Sequence, residues 1–122
     1  MKKKVYIAGK IGEDYPSEAT LQRFATAERL LKTIGYEVFN PTCSGLGAKA
    51  EALAKEKGTD FYREIMLLDL EVLAGCDAIY MLPGWTKSPG ARAELKFAEA
   101  IGLEIYCKAN KRYEQNKANT RA

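Results

Sequence analysis

Two carboxylates sit where a packing helix has no use for them. The stretch MLPGWTKSPGARAEL, residues 81–95, starts a helix in its second half: Ser88 suits the N-cap, Pro89 the first helical position, and Ala91 and Ala93 follow. Glu94 then falls beside Ala91, Leu95 and Ala98, at i−3, i+1 and i+4 on the helix surface. The segment from Asp60 to Ala74 repeats the anomaly. Tyr62, Ile65, Met66, Val72 and Leu73 trace one apolar stripe, and the missing i+7 position is Asp69. Burying an unpaired carboxylate is costly, and aspartate is a poor residue for a helix interior. A site explains both carboxylates. So does a solvated edge, or for Asp69 a pairing with Arg63 or Arg92.

The chain contains no histidine. That removes Ser-His-Asp and Cys-His catalysis and nearly all zinc chemistry. Acid–base work near neutral pH would fall to carboxylates, lysines or tyrosines. Two convergent carboxylates without histidine suit an anomeric carbon, where one attacks or stabilises an oxocarbenium-like centre while another group manages protons. Such chemistry asks for no metal and no redox cofactor.

Other residues could hold a ligand. Gly9-Lys10-Ile11-Gly12 lacks the Walker spacing, yet it sets a lysine and backbone N–H groups at a strand end, where an anion fits. A plain turn with a surface lysine is the alternative. Ser88 and Gly90 at a helix start offer a second place for phosphate, compatible with simple capping. Trp85, the only tryptophan, could stack on a base, cover a pocket or make a subunit contact. Residues 44–50, SGLGAKA, fit the dinucleotide fingerprint but follow the second strand instead of the first, so their glycines are read as a mobile loop over the pocket.

These residues must be positioned by the elements around them. Residues 4–8 read as a strand and Ser17 caps a helix to Ile34, stopped by Gly35. Residues 36–39 read as a second strand. A loop of small residues follows to about 48, then helices over 48–57 and about 60–74. Residues 77–82 form a third strand, the helix from Ser88 ends near Gly102, and 103–107 form the last strand. Strands alternating with helices imply a single α/β domain: a four-stranded parallel sheet of order 2-1-3-4 in a flavodoxin- or Rossmann-like three-layer sandwich. Ligands then collect between the first loop and the opening stretch, beyond the carboxyl ends of strands one and three.

With 122 residues the chain suits one domain, here 1–107, followed by a basic tail, 108–122, expected to be disordered. The net charge of +3 gathers at the ends, from Lys2–Lys4 and the tail, without a basic stripe carrying aromatics; nucleic acid is set aside as a partner. No apolar run approaches the roughly 18 residues of a membrane span. Cys43, Cys76 and Cys107 are odd in number and far apart, and read as thiols in the cytoplasm. On the last helix, Ala93, Phe97, Ala100 and Ile101 form a second apolar strip, which points to a homo-oligomer, a dimer or larger.

The combination of YIAGKIG, D-L-x-x-L-x-x-C-D-A-I-Y-M-L and GW-x-x-S-x-G-A-x-x-E, over residues 3–107, resembles the nucleoside 2-deoxyribosyltransferase-like superfamily. It is most similar to the small phage and bacterial members of unassigned activity. The resemblance implies that Glu94 attacks C1′ of a nucleoside and that Asp69 positions the sugar or manages protons. Transferases of the superfamily carry an acidic residue where Ser88 stands. The nucleoside 5′-monophosphate N-glycosidase branch carries serine there, and a tyrosine resembling Tyr6. Hydrolysis of a nucleoside or nucleotide is therefore favoured over base exchange, with Gly9, Lys10, Ser88 and Gly90 at the 5′ end. That branch usually carries an arginine where Gly12 stands, and Lys10 is a point charge and not a bidentate fork. The rival expectation is a nucleotide-binding or sensor module without turnover.

Overall fold

The computed structural model describes residues 2–11 and 16–107 and the backbone of 111–112. Its elements are β1 (Lys4–Ala8), α1 (Glu18–Ile34), β2 (Glu37–Phe39), α2 (Leu46–Lys57), α3 (Phe61–Ala74), β3 (Ala78–Met81), α4 (Pro89–Ile101), β4 (Glu104–Cys107) and β5 (Lys111–Arg112). Short 3₁₀ turns occupy Pro41–Cys43 and Trp85–Lys87. Gly12 and the tail, apart from residues 111–112, lie outside the described residues.

The four parallel strands take the expected order β2-β1-β3-β4. β5 adds a short antiparallel strand at the β4 edge, within the segment expected to be a disordered tail. β1 and β3 are apolar at nearly every position because both sheet faces are covered. On one face Val5, Ile7, Ala78 and Tyr80 meet Phe24, Ala27 and Leu31 of α1. On the other, Tyr6, Ala8, Ile79 and Met81 meet Leu73 of α3 and Ala91, Leu95 and Ala98 of α4. The result is the expected three-layer sandwich.

Local signals set the ends. Ser17 Oγ accepts the Thr20 N–H, and Gly35 closes α1 at φ 115°, where a side chain would be strained. Asp60 caps α3 by accepting the Arg63 N–H at 2.9 Å. Ser88 caps α4 by accepting the Ala91 N–H at 3.1 Å. α2 differs from its neighbours because it lies on α3 and not on the sheet. Ala50 and Ala54 face α3's side of the molecule and are buried, small enough for two helices to approach. At the joint, Thr59 Oγ1 donates to Glu64 Oε2 at 2.6 Å and Lys57 Nζ to Glu64 Oε1 at 3.2 Å. Glu64 is only 3% exposed, and these donors hold its carboxyl below the usual range.

The glycines expected in a mobile loop belong instead to a helix: Gly45 is the N-cap of α2 and Gly47 lies in its first turn. Among the described residues no helix is long and apolar enough to cross a membrane.

Candidate active site

A cavity of about 850 Å³ opens beyond the carboxyl ends of β1 and β3, where the winding of the sheet reverses. Its size suits a ligand as large as a nucleotide. Each wall comes from a different element. β1 supplies Tyr6 and continues into Gly9 and Lys10; α3 supplies Tyr62, Ile65, Met66 and Asp69. The start of α4 supplies Ser88, Gly90 and Glu94, and the first turn of α2 closes the remaining side.

Asp69 and Glu94 therefore line one cavity, 8% and 6% exposed. The Tyr6 hydroxyl donates to Glu94 Oε2 at 2.6 Å, and its ring is held by stacking on Phe39 with centroids 5.2 Å apart. Burial pushes the Glu94 carboxyl up to about 8; the Asp69 charge adds to this, and the Tyr6 hydrogen bond opposes it. Burial pushes Asp69 up to about 7. Burial, with the charges of Glu94 and Asp69, raises Tyr6 far above the ordinary phenol range, so it stays a donor. Asp69 Oδ1 is buried and has no hydrogen-bond partner among the described residues, so the pairing with Arg63 or Arg92 is not made. An acceptor of that kind is completed by protonation or by a donor from a ligand.

The anion-holding residues also gather here. Gly9, Lys10, Ser88 and Gly90 line the cavity, joined by Lys87, which sequence reasoning passed over although it adjoins Ser88. Ser88 Oγ spends a lone pair on its cap and keeps its proton to donate. Gly9 has a packing reason as well, since a Cβ there would come within 3.0 Å of Leu82 and 3.3 Å of Phe24. Trp85 is a correction: it is not among the lining residues. Its 3₁₀ turn lays the indole, partly buried, against the core cluster containing Met81 and Leu95.

The apolar stripe of α3 divides between two surroundings. Tyr62, Ile65, Met66 and Asp69 form the cavity wall, and Tyr62 is 60% exposed; only Leu73 of the stripe is fully buried in the core. The signal was present, since a carboxylate interrupting the stripe suits a wall better than a core. Among the described residues no group of three His, Cys, Asp or Glu side chains could hold a metal ion.

No curated protein matches the chain. Among solved structures, seven chains match. One is the 2-deoxyribosyltransferase of the psychrotolerant bacterium Bacillus psychrosaccharolyticus: TM-score 0.61, 20% identity, covering 94% of this chain and 78% of that one. Another is the Clostridium botulinum CMP N-glycosidase: TM-score 0.49, 22% identity, covering 86% of this chain and 66% of that one. The sheet order and the helices on both its faces are thus those of the nucleoside 2-deoxyribosyltransferase-like fold. Residues 3–107 match the family described as a domain of unknown function, DUF4406, and the chain belongs to that family.

Proposed function

We propose that this protein breaks the N-glycosidic bond of a nucleoside or nucleoside 5′-monophosphate. The observation that carries the reading is one cavity holding two buried carboxyls, one fixed by Tyr6 and the other with an unpartnered oxygen. Ionised Glu94 attacks C1′ through the oxygen that Tyr6 leaves free. The C1′–N bond breaks, and its electron pair departs with the base, which takes up a proton from solvent that the attacking water later returns. Water then attacks C1′ of the glycosyl–enzyme ester, returning the glutamate and releasing the sugar. Asp69 accepts a sugar hydroxyl and orients the ring beside Glu94. Lys10, Lys87, Ser88 and the start of α4 receive the 5′ end, beside the backbone of Gly9 and Gly90.

Hydrolysis is favoured over base exchange because Ser88, a neutral donor, stands at the cavity where an acidic group would repel a phosphate. The fold shared with a 2-deoxyribosyltransferase suits this chemistry. The reading places the protein in the cytoplasm, where Cys43, Cys76 and Cys107 remain free thiols. It also includes a homo-oligomer, since Leu67 and Ile101 lie 56% and 45% exposed on α3 and α4.

Chromatography of free base released from common nucleosides and 5′-monophosphates tests the reading. Wild type releases base from at least one of them, and Glu94→Gln lowers kcat by at least about 10³-fold. Binding without release from any of them would make the protein a nucleotide-binding or sensor module instead. Full activity in Glu94→Gln would remove the glutamate from its role.

A further inference from the structure

The cavity has two walls of opposite character, an α4 arm and an α3 arm. α3 and α4 both run back along the sheet from its carboxyl edge, so their N-termini stand at the cavity mouth and their carboxylates lie deeper. From Asp69 to Tyr62 is about 10 Å along α3, and from Glu94 to Ser88 about 9 Å along α4. The α4 arm ends in Lys87 and Ser88, cationic and polar. The α3 arm runs over Met66 and Ile65 to Tyr62 and is apolar along its length.

The mouth of the α3 arm has the parts of a platform for a flat ring. Tyr62 is 60% exposed, and Phe61 meets it edge-on, with centroids 5.5 Å apart and planes at 81°. Facing this arm is the first turn of α2. Gly45 caps it in the left-handed region at φ 80° and offers no side-chain acceptor. Leu46 N–H goes to Ser44 Oγ at 3.2 Å, and among the described residues no side chain caps the N–H groups of Gly47 and Ala48. Both residues line the cavity, and a Cβ on Gly47 would meet nothing within 4 Å. A second observation points to a ligand here. Asp69 stands at its foot, 8% exposed, with Oδ1 unpartnered among the described residues.

Resting on the nucleoside reading above, we propose that the α2–α3 arm is the base subsite. Tyr62 stacks on the face of the base, and the Gly47 and Ala48 N–H groups meet acceptors on its edge. The sugar then lies over Asp69 and Glu94, and the 5′ substituent rises along α4. The ligand is thereby given one direction in the cavity, and Tyr62 and Gly47 become its specificity-determining residues.

Calorimetric titration of the full chain tests this. The probes are pseudouridine and formycin 5′-monophosphates, whose bases are joined through carbon and are not cleaved, with ribose 5-phosphate as the baseless control. Wild type binds at least one nucleotide more tightly than the control. Tyr62→Ala and Gly47→Leu, which fills the arm, each weaken that nucleotide by about 10- to 100-fold, the scale of a lost base–aromatic stack. They leave ribose 5-phosphate within about twofold, and Tyr62→Phe retains nucleotide binding. Equal weakening of nucleotide and control, no weakening in either variant, or a Tyr62→Phe loss as large as that of Tyr62→Ala overturns the proposal. Tyr62-dependent binding with no base release from natural nucleotides sinks the catalytic reading alone. Base release with affinity indifferent to both variants sinks the base subsite alone.

Discussion

On the proposed mechanism Glu94 must be ionised to attack, and its surroundings resist ionisation. With the carboxyl held up to about 8, kcat/KM rises with pH along a limb near that value. Two variants move the limb in opposite directions. Asp69→Asn removes a neighbouring negative charge and shifts it to lower pH. Tyr6→Phe removes the hydrogen bond that favours the ionised form, shifts the limb to higher pH and lowers kcat/KM at pH 7 by about 10- to 100-fold. A pH–rate profile of the three proteins checks both directions; a limb that moves the same way in both variants contradicts the assignment. Stability follows the same groups. Asp69 and Glu94 are raised above their ordinary values, so their contribution is complete below about pH 4 and is lost as pH rises through 7 to 8. Wild type therefore melts lower at pH 9 than at pH 5. Asp69→Asn flattens that dependence and melts about 5 °C above wild type at pH 9 by calorimetry. Asp69 and Glu94 were legible because charge interrupts an apolar pattern. Tyr6 was not legible by pattern, since a tyrosine within an apolar strand reads as core; only its likeness to a family tyrosine singled it out. The packing of Trp85 was not legible because the cluster it lies against is drawn from other elements.

The element with the least expected placement is α2. Its extent was nearly visible, but not its glycine-opened start, because Gly45 supplies none of the side-chain caps that mark a helix N-terminus. Its docking was less visible still. Ala50 and Ala54 look neutral in a sequence, and Glu64 reads as an exposed charge until α2 folds back and brings Lys57 and Thr59 to it. Glu64 thus fastens the joint between the two helices. Glu64→Ala releases both donors, and the amides of α2 exchange faster with solvent while those of β1 and β3 keep their protection. Hydrogen exchange resolved by segment measures this; uniform loosening of the whole chain would deny Glu64 a local role. The same change weakens nucleotide binding more than ribose 5-phosphate binding if α2 forms one wall of the base subsite.

Across the whole molecule the sheet order was legible, because alternating strands and helices with right-handed crossovers leave few arrangements. The position of the cavity followed from that order. Its shape did not, since it depends on α2 lying against α3 and on the exposed side of α3 turning toward the mouth. Leu67 and Ile101 remain outside either core cluster. The proposed homo-oligomer predicts a solution mass at least twice that of the chain by light scattering, and Leu67→Glu with Ile101→Lys returns it to the monomer. A monomeric wild type at all concentrations removes that part of the reading.

The attachment of α2 to α3, away from the sheet, has a consequence for which parts can be exchanged. Glu94 and Tyr6 rest on α4 and β1, whereas the Gly45–Ala48 turn belongs to a segment that touches neither core cluster. On the proposed function, replacement of residues 40–58 by a segment of different length changes which base is accepted while Glu94 and Tyr6 keep their places. The wall is then exchangeable, and the floor stays as it is.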